Sequence, residues 1–118
     1  MVLWQNRNQV NLLNVYCQLN QMSLLTEYDI KYIKWDMNRD INHPGDANGK
    51  PAIHNQTHAF YRLVAKLKSA HPNVEIESCA SGGGRADYGV LAHTDRIWTS
   101  DSNDALERLK IQKGFSYF

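Results

Sequence analysis

The sequence has few cysteines, no excess of charge of either sign and no long apolar run. Two cysteines among 118 residues, Cys17 and Cys79, are too few for the disulfide framework of a small secreted scaffold. A net charge of +1 without a basic run gives no reason to expect a nucleic-acid partner. No apolar stretch approaches the roughly 18 residues of a membrane span, and the first residues lack a signal-peptide core. We therefore expect a cytoplasmic protein without a membrane partner.

What the sequence does contain is a regular alternation of helical and extended patterns. Apolar residues at helical spacing, or β-branched and aromatic runs, mark the segments, and Cys17 lies on an apolar helical stripe. The predicted elements are a helix over Val10–Tyr28, a strand over Ile30–Asp36, a loop over Ile41–Pro51, a helix over Thr57–Ala70, strands over Val74–Cys79 and Arg96–Asp101, and a helix capped by Ser102 or Asn103. This order indicates an α/β fold with parallel strands, either part of a doubly wound sheet or an arc of a (β/α)8 barrel.

Polar side chains stand at the carboxyl end of each predicted strand, and this placement favours the barrel. Active sites of such barrels lie at the carboxyl ends of the strands. Because side chains alternate along a strand, Lys34 and Asp36 share one face. The same count pairs Glu77 with Cys79 and Thr99 with Asp101 on the inward face, and it turns Trp35 and Trp98 toward the helices.

Two carboxylates, Asp36 and Asp101, are the obvious catalytic candidates. A pair of carboxylates flanking a sugar ring is the machinery of glycoside hydrolysis. The positive charge of Lys34, two residues before Asp36, favours the ionised carboxylate, and its ammonium group could donate to a sugar hydroxyl. The alternative is that these are ordinary polar residues of loops or salt bridges.

Other motifs give weaker signals. "SGGGR", Ser81 to Arg85, lacks the Gly-Lys-Ser/Thr of a phosphate-binding loop and indicates a tight turn or a close backbone approach. "HNQTH" lacks the glutamate of a zinc protease, so His54 and His58 are expected at the surface. Cys79 with His93 lacks a third orienting group for thiol catalysis.

Three segments together resemble the α-galactosidases of glycoside hydrolase family 36: "YIKWDMNR", "ESCASGGGR" and "IWTSDSNDALERLKIQ". The resemblance runs from about Val2 to Ser116, in the expected order and spacing. It implies a (β/α)8 catalytic domain that hydrolyses terminal α-1,6-linked galactose from melibiose, raffinose and related oligosaccharides, with retention and without a metal or organic cofactor. It also implies a homo-oligomeric full-length protein.

The resemblance assigns roles to individual residues. Asp36 matches the nucleophile and Asp101 the acid/base, with Asp104 as the rival for the second role. Arg85 is expected to order the glycine loop. The residues that match galactose-binding positions are Lys34, Asn38, Cys79 and Gly82.

The chain departs from the family pattern in detail and in length. The sequence "CASGGGR" differs slightly from the usual glycine run, and Ser102 and Asn103 replace the usual pair. A TIM barrel needs about 250 residues, so this chain would supply roughly strands four to six as a central fragment of the catalytic domain. The alternatives are a fragment that is inactive in isolation, or a related galactosyl transferase that makes raffinose-type sugars.

Overall fold

The structure is a computed structural model that describes residues 22–37, 44–46 and 48–117. Of these, 22–31, 44–46 and 48–74 form one compact unit, and 32–37 and 75–117 form a second. Most of the first predicted helix, together with Cys17 and Asn38, lies outside the described residues.

The first unit contains two helices, α1 over residues 22–27 and α2 over Ile53–Ala70. The described part of the first predicted helix is therefore helical, and the helix ends one residue before the predicted Tyr28. Buried residues follow helical spacing along α2, as an amphipathic helix requires. They are Ala59, Leu63, Val64 and Leu67.

Helix α2 ends at Ala70, as predicted, but begins four residues earlier than the predicted Thr57. The backbone N–H of Ala52 donates to the Pro44 carbonyl at 2.6 Å, which fixes the chain where it enters the helix. The Thr57 hydroxyl donates to the Ile53 carbonyl at 3.1 Å, so Thr57 lies within the helix. The residues between Ile53 and Thr57 are polar, so an apolar pattern could not indicate the first turn of α2.

The second unit is built on a three-stranded parallel sheet in the order β1-β2-β3. The strands are β1 (Tyr32–Asp36), β2 (Glu75–Cys79) and β3 (Arg96–Ile97). The parallel arrangement confirms the prediction from the alternation of helices and strands. The third strand is much shorter than the predicted Arg96–Asp101, because it pairs with β2 only at Glu77 and Ser78.

The central strand β2 is buried, whereas β1 alternates. Four consecutive residues of β2, from Ile76 to Cys79, are buried. Along β1 the side chains of Tyr32, Lys34 and Asp36 are exposed and those between them are half-buried. This confirms that Lys34 and Asp36 share a face.

Two helices complete the second unit. Helix α3 (Tyr88–Leu91) was not predicted from the sequence; Asp87 caps it by accepting a hydrogen bond from the Val90 N–H at 2.8 Å. Helix α4 (Ala105–Phe115) follows β3 and contains no buried residue. Across the described part of the chain, no helix combines the length and apolar character needed to cross a membrane.

The structure therefore shows an α/β fold with a small parallel sheet. That these strands are the fourth to sixth of a barrel stays a prediction.

Candidate active site

The carboxyl ends of β1 and β2 bring four predicted polar residues side by side. The parallel register places Lys34 opposite Glu77 and Asp36 opposite Cys79. Lys34 and Asp36 are exposed, whereas Glu77 and Cys79 are 9% and 1% exposed. An exposed ammonium group and an exposed carboxylate on β1 therefore lie beside a buried carboxyl group and a buried thiol on β2.

The Cys79 thiol is hydrogen-bonded to Asp36. Burial is the main cause that raises the pKa of the Cys79 thiol above its ordinary value, because it penalises the thiolate. The second-largest effect is a hydrogen bond from the Gly82 backbone, which lowers this pKa; the hydrogen bond to Asp36 and the charge of that carboxylate then raise it, and the Lys34 charge has the smallest, lowering effect. The neutral thiol thus acts as a donor to Asp36, which argues against a thiolate nucleophile.

The loop after β2 packs directly against the segment that carries Asp101. Gly82 has a φ of +82°, and a Cβ built on it would lie 2.6 Å from the Ser100 Cα and 3.3 Å from the Asp101 nitrogen. The Gly83 N–H donates to the Thr99 carbonyl at 3.1 Å. Glycine at position 82 is therefore needed both for its backbone conformation and for this close approach.

Arg85 ties the same loop to the strand ends. Its guanidinium donates to the Trp35 carbonyl at 3.1 Å, the Cys79 carbonyl at 2.9 Å and the Ser78 hydroxyl at 3.3 Å. These bonds join the ends of β1 and β2, so the expectation that Arg85 orders the loop is confirmed.

Trp98 lies on the face of the candidate site, so the prediction that it turns away from that face was wrong, although its ring also contacts Arg108 of helix α4. The ladder pairs Arg96 with Glu77, so Trp98, two residues further, falls on the side of Glu77 and Lys34. The Lys34 Nζ lies 4.2 Å from the centroid of the Trp98 ring. The sequence-based count assumed that the strand continued to Asp101, whereas the chain leaves the ladder after Ile97. Trp35 lies on the opposite face of β1 from Lys34, as predicted.

Asp101 is exposed and is held by the side chain of Trp98. The indole N–H donates to the Asp101 Oδ1 at 2.7 Å. On the same ring, the Arg108 guanidinium carbon lies 4.6 Å from the centroid, and Arg108 also donates to the Ser100 carbonyl at 2.7 Å. The sequence analysis did not identify Trp98 or Arg108 as site residues. The face on which Trp98 lies follows from the pairing of Arg96 with Glu77, which only the structure shows, and no sequence pattern indicated Arg108.

Asp104, the rival candidate, caps helix α4. Its Oδ1 accepts hydrogen bonds from the N–H groups of Leu106 at 3.1 Å and Glu107 at 2.8 Å. The predicted cap at Ser102 or Asn103 was therefore wrong by one or two residues. A carboxylate near a helix amino terminus is favoured by both hydrogen bonding and the helix dipole.

Among the residues that the structure describes, no group of three or more His, Cys, Asp or Glu side chains could hold a metal ion. The described side chains of the site supply carboxylates, an ammonium group, an indole and a thiol. Of the predicted site residues, the structure places Lys34, Asp36, Cys79 and Gly82 at the ends of β1 and β2, and Asp101 beside Trp98 on the following segment.

Comparison with known proteins places the whole chain in one family. The Melibiase family model matches residues 2–118. An alpha-galactosidase from Escherichia coli is 55% identical over 95 residues, which is 80% of this chain and 13% of that protein. Alpha-galactosidase Mel36A from Lactobacillus acidophilus is 41% identical over 109 residues, 87% of this chain and 14% of its own length.

Solved structures agree. The crystal structure of the alpha-galactosidase from Lactobacillus brevis has a TM-score of 0.79 and 39% identity, covering 88% of this chain and 15% of that one. The GH36 alpha-galactosidase AgaA from Geobacillus stearothermophilus has a TM-score of 0.77 and 37% identity, covering 87% and 15%. This chain spans about one seventh of the length of these relatives. It belongs to the melibiase family and corresponds to a segment of a GH36 alpha-galactosidase.

Proposed function

We propose that the protein to which this chain belongs is a retaining α-galactosidase that releases terminal α-1,6-linked galactose from melibiose, raffinose and related oligosaccharides. One observation carries the proposal. Lys34, which shares a face of β1 with Asp36, lies over the Trp98 ring, and the Trp98 indole N–H donates to Asp101.

In this mechanism Asp36 is the nucleophile. Its carboxylate attacks the anomeric carbon as the glycosidic bond breaks, and Asp101 gives its proton to the leaving oxygen. Asp101 then takes a proton from water, whose oxygen displaces Asp36 from the galactosyl-enzyme and restores both carboxyl groups. Lys34 and the Cys79 thiol supply donors beside Asp36, and the Gly82 backbone forms the adjacent wall. Asn38 is proposed as a further galactose contact.

The substrate class draws on the relatives. Variants of AgaA from Geobacillus stearothermophilus have been crystallised in complex with stachyose and with raffinose. These sugars carry the terminal galactose that the proposed pair of carboxylates would release. We further propose that the whole protein is a homo-oligomer, which sedimentation of the purified protein would test, and that it is cytoplasmic, which cell fractionation would test.

The nucleophile is tested with Asp36→Gly in the full-length enzyme. Hydrolysis of α-galactosides is expected to be lost, because no carboxylate remains to form the covalent intermediate. External azide is expected to restore turnover of an activated substrate and to give β-galactosyl azide, since the anion enters from the vacated side. Full activity in the variant would contradict the assignment.

The acid/base is tested with Asp101→Ala and, in parallel, Asp104→Ala. Substrates with poor leaving groups need a proton, so Asp101→Ala is expected to slow them far more than aryl galactosides with good leaving groups. Azide should here give the α-azide. If Asp104→Ala shows this dependence and Asp101→Ala does not, the role belongs to Asp104. A retaining enzyme also requires the carboxyl groups of Asp36 and Asp101 about 5 to 6 Å apart in a substrate complex.

A further inference from the structure

Three charged side chains of the candidate site meet at Trp98. Its indole N–H donates to the Asp101 Oδ1 at 2.7 Å, the Lys34 Nζ lies 4.2 Å from its ring centroid, and the Arg108 guanidinium carbon lies 4.6 Å from the same centroid. The nitrogen and the ring face of one side chain thus contact different groups, which suits it to hold them in a fixed relation.

We propose that Trp98 is a positioning residue for the reaction. Its indole N–H orients the carboxyl group of Asp101 for proton transfer, and its ring face holds the ammonium group of Lys34 at the galactose-binding end of the site. This rests on the proposed function, in which Asp101 is the acid/base.

The backbone around Trp98 makes it a rigid anchor. The Trp98 N–H donates to the Ser78 carbonyl at 2.9 Å, so the residue is tied to the central strand although it lies beyond β3. Ser100, the residue before Asp101, is also held in place. Its carbonyl accepts a hydrogen bond from Arg108, and Gly82 packs against its Cα. Asp101 itself is exposed and would otherwise sample several rotamers.

The hydrogen bond also decides which oxygen of Asp101 carries the catalytic proton. Because the indole can only donate, the Oδ1 that it contacts must be an acceptor. In a protonated carboxyl group the carbonyl oxygen is a better acceptor than the hydroxyl oxygen, so this bond favours the proton on Oδ2, the oxygen that would face the glycosidic oxygen. Loss of the indole N–H would leave the proton free to reside on either oxygen and the carboxyl group free to rotate.

The test is Trp98→Phe in the full-length enzyme, which removes the indole N–H and keeps an aromatic ring. A hydrogen bond to a charged group accounts for roughly a 10- to 100-fold effect. We expect kcat/KM for a substrate with a poor leaving group to fall by that factor, and for an activated aryl galactoside by no more than about threefold, since it needs little proton donation.

A second substitution keeps the test decisive if Trp98→Phe fails to fold. Incorporation of 3-benzothienylalanine at position 98 preserves the shape of the indole and replaces its N–H with sulfur, and it should reproduce the same dependence on the leaving group. Trp35→Phe is the matched control: it removes a tryptophan from the opposite face of β1, and it should leave that dependence unchanged. Equal losses for good and poor leaving groups would show a merely structural role and overturn the proposal.

The ring face is tested separately with Trp98→Leu. The contact of a cation with an aromatic ring at an exposed site corresponds to a factor of about two to five in an equilibrium constant. KM for the galactoside should therefore rise by about two- to fivefold beyond the value for Trp98→Phe, and an unchanged KM would overturn the role toward Lys34. Asp101→Ala distinguishes a failure of the proposed function from a failure of the role of Trp98. If it lacks the leaving-group dependence, the proposed function fails; if it shows the dependence and both N–H-deleting variants do not, the role of Trp98 alone fails.

Discussion

Substitution of Gly82 by alanine should be among the most damaging single-methyl changes in the described part of the chain. Two costs add. Its φ of +82° is strained for any residue with a Cβ, at about 1 to 2 kcal/mol. The added Cβ would also lie 2.6 Å from the backbone of Ser100, which cannot rotate away, and overpacking of this kind costs about 1 to 3 kcal/mol. The free energy of unfolding should therefore fall by about 2 to 5 kcal/mol.

Two other glycines serve as matched controls that separate these costs. Gly49 has a φ of +72° but no atom within 4 Å of the added Cβ, so Gly49→Ala should carry only the strain of about 1 to 2 kcal/mol. Gly114 lies within helix α4 with open space around it, so Gly114→Ala should stabilise the protein by about 0.5 to 1 kcal/mol.

The assay is urea-induced unfolding of the three variants in the full-length protein, followed by kcat/KM on an aryl galactoside. Gly82→Ala should also lower activity, because the displaced atoms are the Ser100 backbone and the Asp101 nitrogen. If Gly82→Ala costs no more than Gly49→Ala, the close approach is not a real constraint and the packing argument is refuted. A loss of stability with full activity would show that the loop does not position Asp101.

Three further predictions concern other parts of the site and the chain as a whole. Asp104→Ala should lower the free energy of unfolding by about 1 kcal/mol through loss of the α4 cap, measured by urea unfolding, while Asp104→Asn should retain most of it. Because the pKa of the Cys79 thiol is raised in the folded state, its contribution to stability is complete below the ordinary thiol pKa and declines as pH rises through the folded-state value. The free energy of unfolding should decrease from pH 7 to pH 9.5 in the parent protein and should decrease less in Cys79→Ala. Equal decreases in the two proteins would contradict this prediction. Residues 1–118 expressed alone should show no α-galactosidase activity and should associate on size exclusion, because within the described residues β1 and β3 are the outer strands of the sheet and each leaves one edge unpaired; a monomer that turns over an aryl galactoside would contradict this.

The sequence by itself determined the alternation of strands and helices and the polar strand ends. The β-branched and aromatic run before Asp36 and the run before Cys79 correspond to β1 and β2 within two residues, because local periodicity reports which face of a strand is buried. The same alternation placed Lys34 and Asp36 on one face. The glycine loop could also be recognised from the sequence, since glycine adopts a positive φ, as at Gly82, without steric cost.

The tertiary structure decided what local pattern cannot carry. The length of β3, and with it the face on which Trp98 lies, depends on where the chain leaves its partner strand, and this register is set by pairing with Glu77 and Ser78. The cap at Asp104 depends on the direction in which α4 departs. The bond from Trp98 to Asp101 joins two residues three positions apart, but it forms only because the backbone bends after β3 and is held there by Gly82. Periodicity reads one segment at a time, whereas these features arise from contacts between segments.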